Sequence, residues 1–121
     1  AGWSSGTSGN KNRSILKTAV DFIDSHYMEE DMSLNKAANA ANVSANHFSA
    51  LFSQNMGQTF IEYLTNLRMN KAKEYLRCTS MRSSEIAGEI GYKDAHYFSY
   101  LFKKTQGMTP SDYRKAREDK A

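Results

Sequence analysis

The sequence contains few of the residues that cross-link small secreted domains or form the turns of β-sheets. Its 121 residues include one cysteine, one proline and seven glycines. A single cysteine excludes an internal disulfide, and so few turn residues argue against a β-sandwich or a barrel. No run approaches the roughly 18 consecutive apolar residues of a membrane span, and we find no signal peptide. We therefore expect a cytoplasmic protein that has no membrane partner.

The residues that are abundant are typical of one small globular domain. Hydrophobic residues make up 40% of the chain and charged residues 24%, which excludes a wholly disordered protein. The net charge of +3 is unevenly distributed. Residues 1–62 carry four bases against six acids, whereas the remainder carries twelve bases against seven acids. The basic C-terminal half is a mild indication of a polyanionic partner.

Apolar residues recur at spacings of three and four from Ser14 onward, which predicts an all-α fold of about seven helices. The predicted apolar face of the first helix consists of Ile15, Ala19, Phe22, Ile23 and Tyr27. A long helix begins at the capping box formed by Thr59 and Glu62. Its predicted apolar residues are Ile61, Leu64, Leu67, Ala72, Tyr75 and Leu76.

Cap residues predict where the other helices begin and end. The predicted N-caps are Ser33, Ser44, Ser83 or Ser84, Asp94 and Thr109, the last followed by Pro110 and Asp112. The predicted terminators are Gly57, Gly91 and Gly107.

The chain repeats itself at an offset of 50 residues. Phe48, Ser49, Leu51, Phe52, Gly57, Thr59 and Tyr63 recur as Phe98, Ser99, Leu101, Phe102, Gly107, Thr109 and Tyr113. The repeat predicts two subdomains, residues 13–58 and 79–118, joined by a connector helix over residues 59–78. Residues 1–12 are rich in Gly and Ser and are predicted to be a flexible linker or a segment added for expression. Residues 119–121 are predicted to be a tail.

Each copy fits a helix-turn-helix. Ala38 and Ala87 lie where two helices approach closely, and Asn42 and Gly91 occupy the turn, where both residue types tolerate a left-handed backbone. Small and polar residues on the second helix suit insertion into a major groove. The connector would be about 28 Å long, against roughly 34 Å between successive major grooves. The same spacing also fits a plain helical hairpin or a protein-interaction module.

The second copy carries a family motif. Its elements are Ile86-Ala87, Gly91-Tyr92, Tyr97-Phe98-Ser99, Phe102-Lys103-Lys104, Gly107-Met108-Thr109-Pro110 and Tyr113-Arg114. This pattern resembles the signature of AraC/XylS-type transcription regulators, and the resemblance covers residues 14–117. Within that family, the segments Gly91-Tyr92-Lys93-Asp94 and Gly107-Met108-Thr109-Pro110 resemble those of the response-regulator branch.

The resemblance implies a bipartite domain that binds double-stranded DNA and regulates transcription, with one recognition helix per half in adjacent major grooves. It also implies RNA polymerase and an upstream sensor or receiver domain as partners. The sequence departs from the family at Ala37, where a larger aliphatic residue is usual. A second departure is the first recognition helix, Ala45 to Met56, which has no Lys or Arg.

The resemblance also assigns site residues. The implied base contacts are Asn46, Ser49, Ala50, Ala95, His96, Ser99 and Tyr100. The implied phosphate contacts are Ser44, Ser53, Arg82, Lys103 and Lys104. Alternatives stay open, because Ser44 is also an N-cap, the two lysines also fit a solvated face, and Tyr100 also fits packing on its own helix.

No constellation in the sequence predicts catalysis. The three histidines, His26, His47 and His96, have no metal-ligand spacing with one another or with Cys78. No Ser/His/Asp set and no glycine-rich phosphate loop can be assembled. We therefore expect neither an enzyme nor a bound metal or cofactor.

Overall fold

The computed structural model describes the backbone of residues 7–120 and the side chains of residues 11–116. Within residues 7–120 the chain forms seven α-helices and no strand, which confirms the predicted fold class. The helices are α1 (Thr7–His26), α2 (Leu34–Ala40), α3 (Ala45–Met56), α4 (Phe60–Cys78), α5 (Ser83–Glu89), α6 (Ala95–Gln106) and α7 (Pro110–Lys120).

Most predicted caps are present. Side-chain oxygens of Ser33, Ser44, Asp94 and Thr109 accept hydrogen bonds from first-turn backbone N–H groups of α2, α3, α6 and α7. At α4, the Thr59 N–H donates to Glu62 Oε1 over 2.8 Å, and the Glu62 N–H donates to Thr59 Oγ1 over 3.1 Å. This reciprocal pair is the predicted capping box.

Three predicted boundaries are wrong. Helix α1 begins at Thr7, so the predicted linker overlaps it over residues 7–12, while residues 1–6 lie outside the described part of the chain. Helix α7 extends to Lys120, into the predicted tail. Both extensions follow from cooperativity, because adding a residue to an existing helix costs far less than nucleating one. Helix α5 has Arg82 as its N-cap residue, not Ser83 or Ser84.

The start of α5 shows why a serine cap is unnecessary there. The Arg82 backbone N–H donates to Glu85 Oε1 over 2.9 Å. A carboxylate in the first turn thus satisfies a backbone donor and also complements the positive end of the helix dipole.

The described residues form two compact units. The first contains the described residues up to Tyr27 together with Met32–Thr65, and the second contains Met28–Asp31 together with the described residues from Asn66 onward. Helix α4 therefore contributes residues to both units. The short segment Met28–Asp31, which the sequence places in the first subdomain, belongs to the second unit.

The core of the first unit is built around three phenylalanines. The ring centroids of Phe48 and Phe52 are 5.5 Å apart, and Phe60 packs against both at 6.2 and 6.5 Å. Helix α1 adds the buried residues Leu16, Ala19 and Ile23, of which Leu16 was not predicted. The other buried hydrophobic residues of this unit are Met32, Ala37, Ala38, Leu51 and Leu64.

One predicted core residue is exposed. Ile61 retains 61% of its accessible surface, although the spacing of apolar residues places it on the buried face of α4. Phe60 and Leu64, four residues apart, define the buried face at this end of the helix. Ile61 lies about 100° around the helix from Phe60 and therefore faces away from the core.

The second unit has an equivalent core, in which Phe98 and Phe102 take the places of Phe48 and Phe52. Buried side chains come from α4, α5, the turn and α6: Met69, Ala72, Leu76, Ile86, Ala87, Ile90, Tyr92, Phe98 and Phe102. Phe102 meets Tyr113 at 5.8 Å between ring centroids, as Phe52 meets Tyr63 at 5.6 Å in the first unit. Each buried phenylalanine contributes roughly 1.5–3 kcal/mol from removing its apolar surface from water.

Candidate nucleic-acid interface

Both units contain a helix-turn-helix with the same backbone hydrogen bond. In the first, the Val43 N–H donates to the Ala38 carbonyl over 3.0 Å, and in the second the Tyr92 N–H donates to the Ala87 carbonyl over 2.8 Å. Ala38 and Ala87 are each 1% exposed, so the two helices of each motif are in close contact there.

The turns use the left-handed backbone that the sequence predicts. Asn42 has φ 62° and Gly91 has φ 105°. Asparagine is one of the few non-glycine residues that adopt this region at low cost, whereas φ near 105° is accessible mainly to glycine. One residue separates Asn42 from Ser44, the N-cap of α3, and two residues separate Gly91 from Asp94, the N-cap of α6.

Helix α3 presents a small, polar surface opposite its phenylalanines. Asn46 and Ala50 are exposed, Ser49 and Ser53 are half-buried, and the opposite face buries Phe48 and its neighbours. The side chains on this surface are short, so a polyanion could approach the helix backbone closely.

Helix α6 presents a larger surface with aromatic and cationic side chains. His96 and Tyr100 are exposed, Ser99 is half-buried, and Lys103 and Lys104 are exposed in the last turns. Lys104 Nζ lies 5.8 Å from the centroid of the Tyr100 ring, within cation–π distance. Tyr100 retains 60% of its surface and is not a core residue.

Ala95 lies differently from the other implied base-contacting residues. It is half-buried and packs against the core of the second unit. Its methyl group therefore has little surface left for a ligand.

The implied phosphate-contacting residues lie at helix ends as well as along the helices. The Ser44 hydroxyl accepts a hydrogen bond from the His47 N–H over 3.2 Å, and the same hydroxyl has one hydrogen to donate elsewhere. Arg82 is exposed at the N-cap position of α5, while Ser53, Lys103 and Lys104 lie on α3 and α6.

Three further residues on the two helices are exposed but are not among the implied contacts. His47 and Gln54 on α3 and Tyr97 on α6 are all exposed, and Tyr97 retains half of its surface. The 50-residue offset pairs His47 with Tyr97 and Gln54 with Lys104, so the repeat relates only Gln54 to an implied contact.

Among the side chains of residues 11–116, no three His, Cys, Asp or Glu residues lie close enough together to hold a metal ion. Cys78 is exposed at the end of α4. None of the described helices is both long and apolar enough to cross a membrane.

Two linked helix-turn-helix motifs, each with an exposed second helix, define a bipartite helix-turn-helix domain. A family model described as a helix-turn-helix domain matches residues 37–116. The lactose operon transcription activator of Staphylococcus xylosus is 36% identical over 99 residues, which are 82% of this chain and 35% of that protein. The chain spans only 12–35% of the length of the first three curated relatives.

Two solved structures support a narrower assignment. The C-terminal domain of AraT, a response regulator from Geobacillus stearothermophilus, is 40% identical with a TM-score of 0.83, and the match covers 85% of each chain. The C-terminal domain of the response regulator yesN from Fusobacterium nucleatum is 32% identical with a TM-score of 0.80, covering 82% of this chain and 96% of that one. The chain belongs to the AraC-type family of helix-turn-helix domains, which bind DNA and regulate transcription.

Proposed function

We propose that α3 and α6 are the recognition helices and that they enter adjacent major grooves of one duplex. Each follows the turn of a helix-turn-helix, the position that delivers base contacts in this class of motif. Each also begins with a capped N-terminus, where a phosphate is favoured by the helix dipole.

The observation that carries this proposal is the matched exposure of the two helices. At the 50-residue offset, Asn46 and His96 are both exposed, Ser49 and Ser99 are both half-buried, and Ala50 and Tyr100 are both exposed. The exposed positions are matched, although only the two serines are identical in chemistry. If the two helices read different base pairs, equivalent positions should stay exposed in both copies while most of their side chains differ.

Base contacts are proposed for the exposed centre of each helix. On α3 these are Asn46, Ser49 and Ala50. On α6 they are His96, Ser99 and Tyr100, with a smaller contribution from Ala95 because it packs on the core. Amide, imidazole and hydroxyl groups hydrogen-bond to base edges, and alanine contacts the thymine methyl group.

Phosphate contacts are proposed for the residues that flank these centres. Lys103, Lys104 and Arg82 supply charge to the second unit, whereas Ser44 and Ser53 supply hydroxyl donors to the first. The second unit then provides most of the salt-dependent attraction, because neutral hydroxyls release no counterions.

The domain is proposed to act within a longer cytoplasmic regulator. The matched domains of AraT and yesN are C-terminal parts of response regulators, which supports an upstream receiver domain, with a small-molecule sensor as the alternative. The name of the Staphylococcus xylosus relative, a transcription activator, supports a contact with RNA polymerase.

Selection from a library of random duplexes tests the recognition role. The selected site should contain two short conserved segments about one helical turn apart, and chemical footprints should show protection of both on one face. A protein-interaction module with no DNA role would retain no duplex in a salt-dependent manner. A single conserved segment would instead mean that one helix does all the reading.

A paired substitution separates the two helices in the same assay. Asn46→Ala should relax selection only in one segment, and His96→Ala only in the other. Gln54→Ala is the matched control, since Gln54 is exposed and lies on α3 with Asn46 but outside the proposed base-reading centre.

A further inference from the structure

Arg68 is the only charged side chain that is buried among residues 11–116, with 6% of its surface exposed. It lies on α4, in the part of that helix that belongs to the second unit. Burying a guanidinium costs several kcal/mol unless its donors are satisfied. Its Nη2 donates to the Glu29 carbonyl oxygen over 2.8 Å, which anchors Arg68 to the segment Met28–Asp31.

The same guanidinium contacts the turn of the second helix-turn-helix. Its Cζ lies 4.8 Å from the centroid of the Tyr92 ring, a cation–π distance. A Cβ built on Gly91 would lie 2.8 Å from Arg68 Nη2 and 3.1 Å from the Met28 carbonyl oxygen. The turn, Arg68 and the segment Met28–Asp31 are therefore packed with no room for one additional carbon atom.

We propose that Arg68 is a positioning residue for α6. Tyr92, which it contacts, lies two residues before Asp94, the N-cap of α6, so the direction in which α6 leaves the turn depends on where Gly91 and Tyr92 are held. The segment Met28–Asp31 is the anchor, because the Glu29 carbonyl oxygen accepts the hydrogen bond that holds the guanidinium against the turn. The importance of this role for DNA binding rests on the proposed function of α6 as a recognition helix.

The chemistry of the residue supports positioning over simple packing. An apolar side chain of similar volume often replaces a buried ionic group at no cost in stability. A planar guanidinium is distinctive because it can donate in fixed directions while its face lies against an aromatic ring. Both contacts are made here, one to each of the two segments that have to be held together.

Amide hydrogen exchange in the absence of DNA tests the positioning role directly. Arg68→Met keeps much of the apolar stem and removes the donors, and Arg77→Met is the matched control, since it removes the same charge from an exposed position on the same helix. In Arg68→Met, exchange of the Tyr92 and His96 amides should accelerate about tenfold or more, the factor expected for a lost charged hydrogen bond. Exchange at the Val43 and His47 amides of the first unit should stay unchanged, and the control should match the wild type throughout.

Discrimination between DNA sequences provides the second readout. Arg68→Met should lower the ratio of affinities for the selected and a random duplex by about tenfold, while the Arg77→Met control keeps the wild-type ratio. Unchanged exchange at Tyr92 and His96 in a folded Arg68→Met protein would overturn the proposal. Should wild-type protein fail to discriminate duplexes, the recognition role of α6 would be refuted, and the exchange data would still decide the role of Arg68.

Arg68→Lys keeps the proposal testable if Arg68→Met does not fold. Lysine retains the charge and one donor to the Glu29 carbonyl but has no planar face for Tyr92. We expect a smaller acceleration at the Tyr92 and His96 amides, between the wild-type and Arg68→Met values. Wild-type exchange in Arg68→Lys would overturn the requirement for the guanidinium.

Discussion

The two helix-turn-helix units have matching interiors and different exposed surfaces. Phe48 and Phe52 correspond to Phe98 and Phe102, all with no exposed surface, and the backbone bond from the turn to Ala38 or Ala87 is repeated. On the exposed side, α3 has no Lys or Arg, whereas α6 has Lys103, Lys104 and two exposed tyrosines. A duplicated unit can thus keep the residues that determine its fold while the exposed residues of its second helix differ.

The largest expected effect tests whether the two interiors are energetically equivalent. Phe52→Ala and Phe102→Ala should each destabilise the protein by about 3–5 kcal/mol, since each removes a fully buried ring and leaves a cavity. The free energy of unfolding from urea denaturation measures both. Both rings also meet a tyrosine edge at nearly the same distance, so the two losses should agree within about 1 kcal/mol.

Ile61→Ala is the control for this pair. It shortens a hydrophobic residue that the structure leaves exposed, and it should change stability by no more than about 0.5 kcal/mol. A cost of several kcal/mol at Ile61 would contradict the described packing. A difference of several kcal/mol between the two phenylalanines would show that the repeat in sequence is not a repeat in packing energy.

The next effect concerns base reading by the two helices. His96→Ala should weaken binding to the selected duplex by about 1–3 kcal/mol, the range for losing a base-edge contact, with little loss on random duplex. Asn46→Ala should do the same through α3. Fluorescence anisotropy with both duplexes measures the difference. Equal weakening on every duplex would instead assign His96 to a phosphate contact.

The interior could be predicted well from the sequence because the same pattern of buried residues occurs twice. Phe48, Phe52, Phe98 and Phe102 all recur at helical spacing, and each copy supports the assignment of the other. Caps were also predicted where a short side chain satisfies the backbone alone, as at Ser44 and Asp94. These interactions join residues that are close together in the chain, so the sequence alone is enough to predict them.

Features that depend on partners distant in the chain were not predicted. Arg68 is buried because a carbonyl 39 residues away accepts its hydrogen bond, and no periodicity records that relation. The exposure of Ile61 likewise depends on which face of α4 the first unit covers. The proposed base and phosphate contacts come from family resemblance, and the structure adds which of these side chains are exposed.

The charge of each structural unit also differs from the charge of the corresponding half of the sequence, because residues distant in the chain come together in one unit. The three acidic residues Glu29, Glu30 and Asp31 precede residue 62 in the sequence but belong to the second unit in the structure. Together with Lys93 they line an open cleft. The second unit is therefore less basic than the sequence halves indicate, and its attraction for polyanions depends on where its lysines lie.

A salt titration tests the contrast between the cationic α6 and the uncharged α3. Lys103→Gln combined with Lys104→Gln should reduce the slope of log K against log salt by up to about 1.8, because each neutralised phosphate contributes about 0.9. Ser53→Ala combined with Gln54→Ala at the equivalent positions of α3 should leave the slope unchanged. An unchanged slope in the lysine variant would place both lysines away from DNA.

The smallest effect concerns Tyr63 and Tyr113, which occupy equivalent positions with partners of opposite charge. Tyr63 donates its hydroxyl hydrogen to Asp24 Oδ1 over 2.7 Å, whereas the Tyr113 hydroxyl accepts from Arg77 over 3.5 Å. Burial and the hydrogen bond to Asp24 raise the pKa of Tyr63 well above its usual value. Tyr63→Phe should cost about 0.5–1 kcal/mol, near the lower end for a hydrogen bond because the pair is partly exposed to solvent.

The pH dependence of that cost gives the final test of the contrast. A tyrosine whose pKa is higher in the folded state stabilises it at pH values below the unfolded pKa, about 10. That stabilisation is lost as the pH rises through the higher pKa of the folded state. The free energy of unfolding of the wild type should therefore approach that of Tyr63→Phe only in strongly alkaline solution.

Tyr113→Phe should match the wild type at neutral pH, since the bond from Arg77 to the Tyr113 hydroxyl is long and exposed. A larger loss at Tyr113 than at Tyr63 would reverse the assignment of the stronger bond to the first unit.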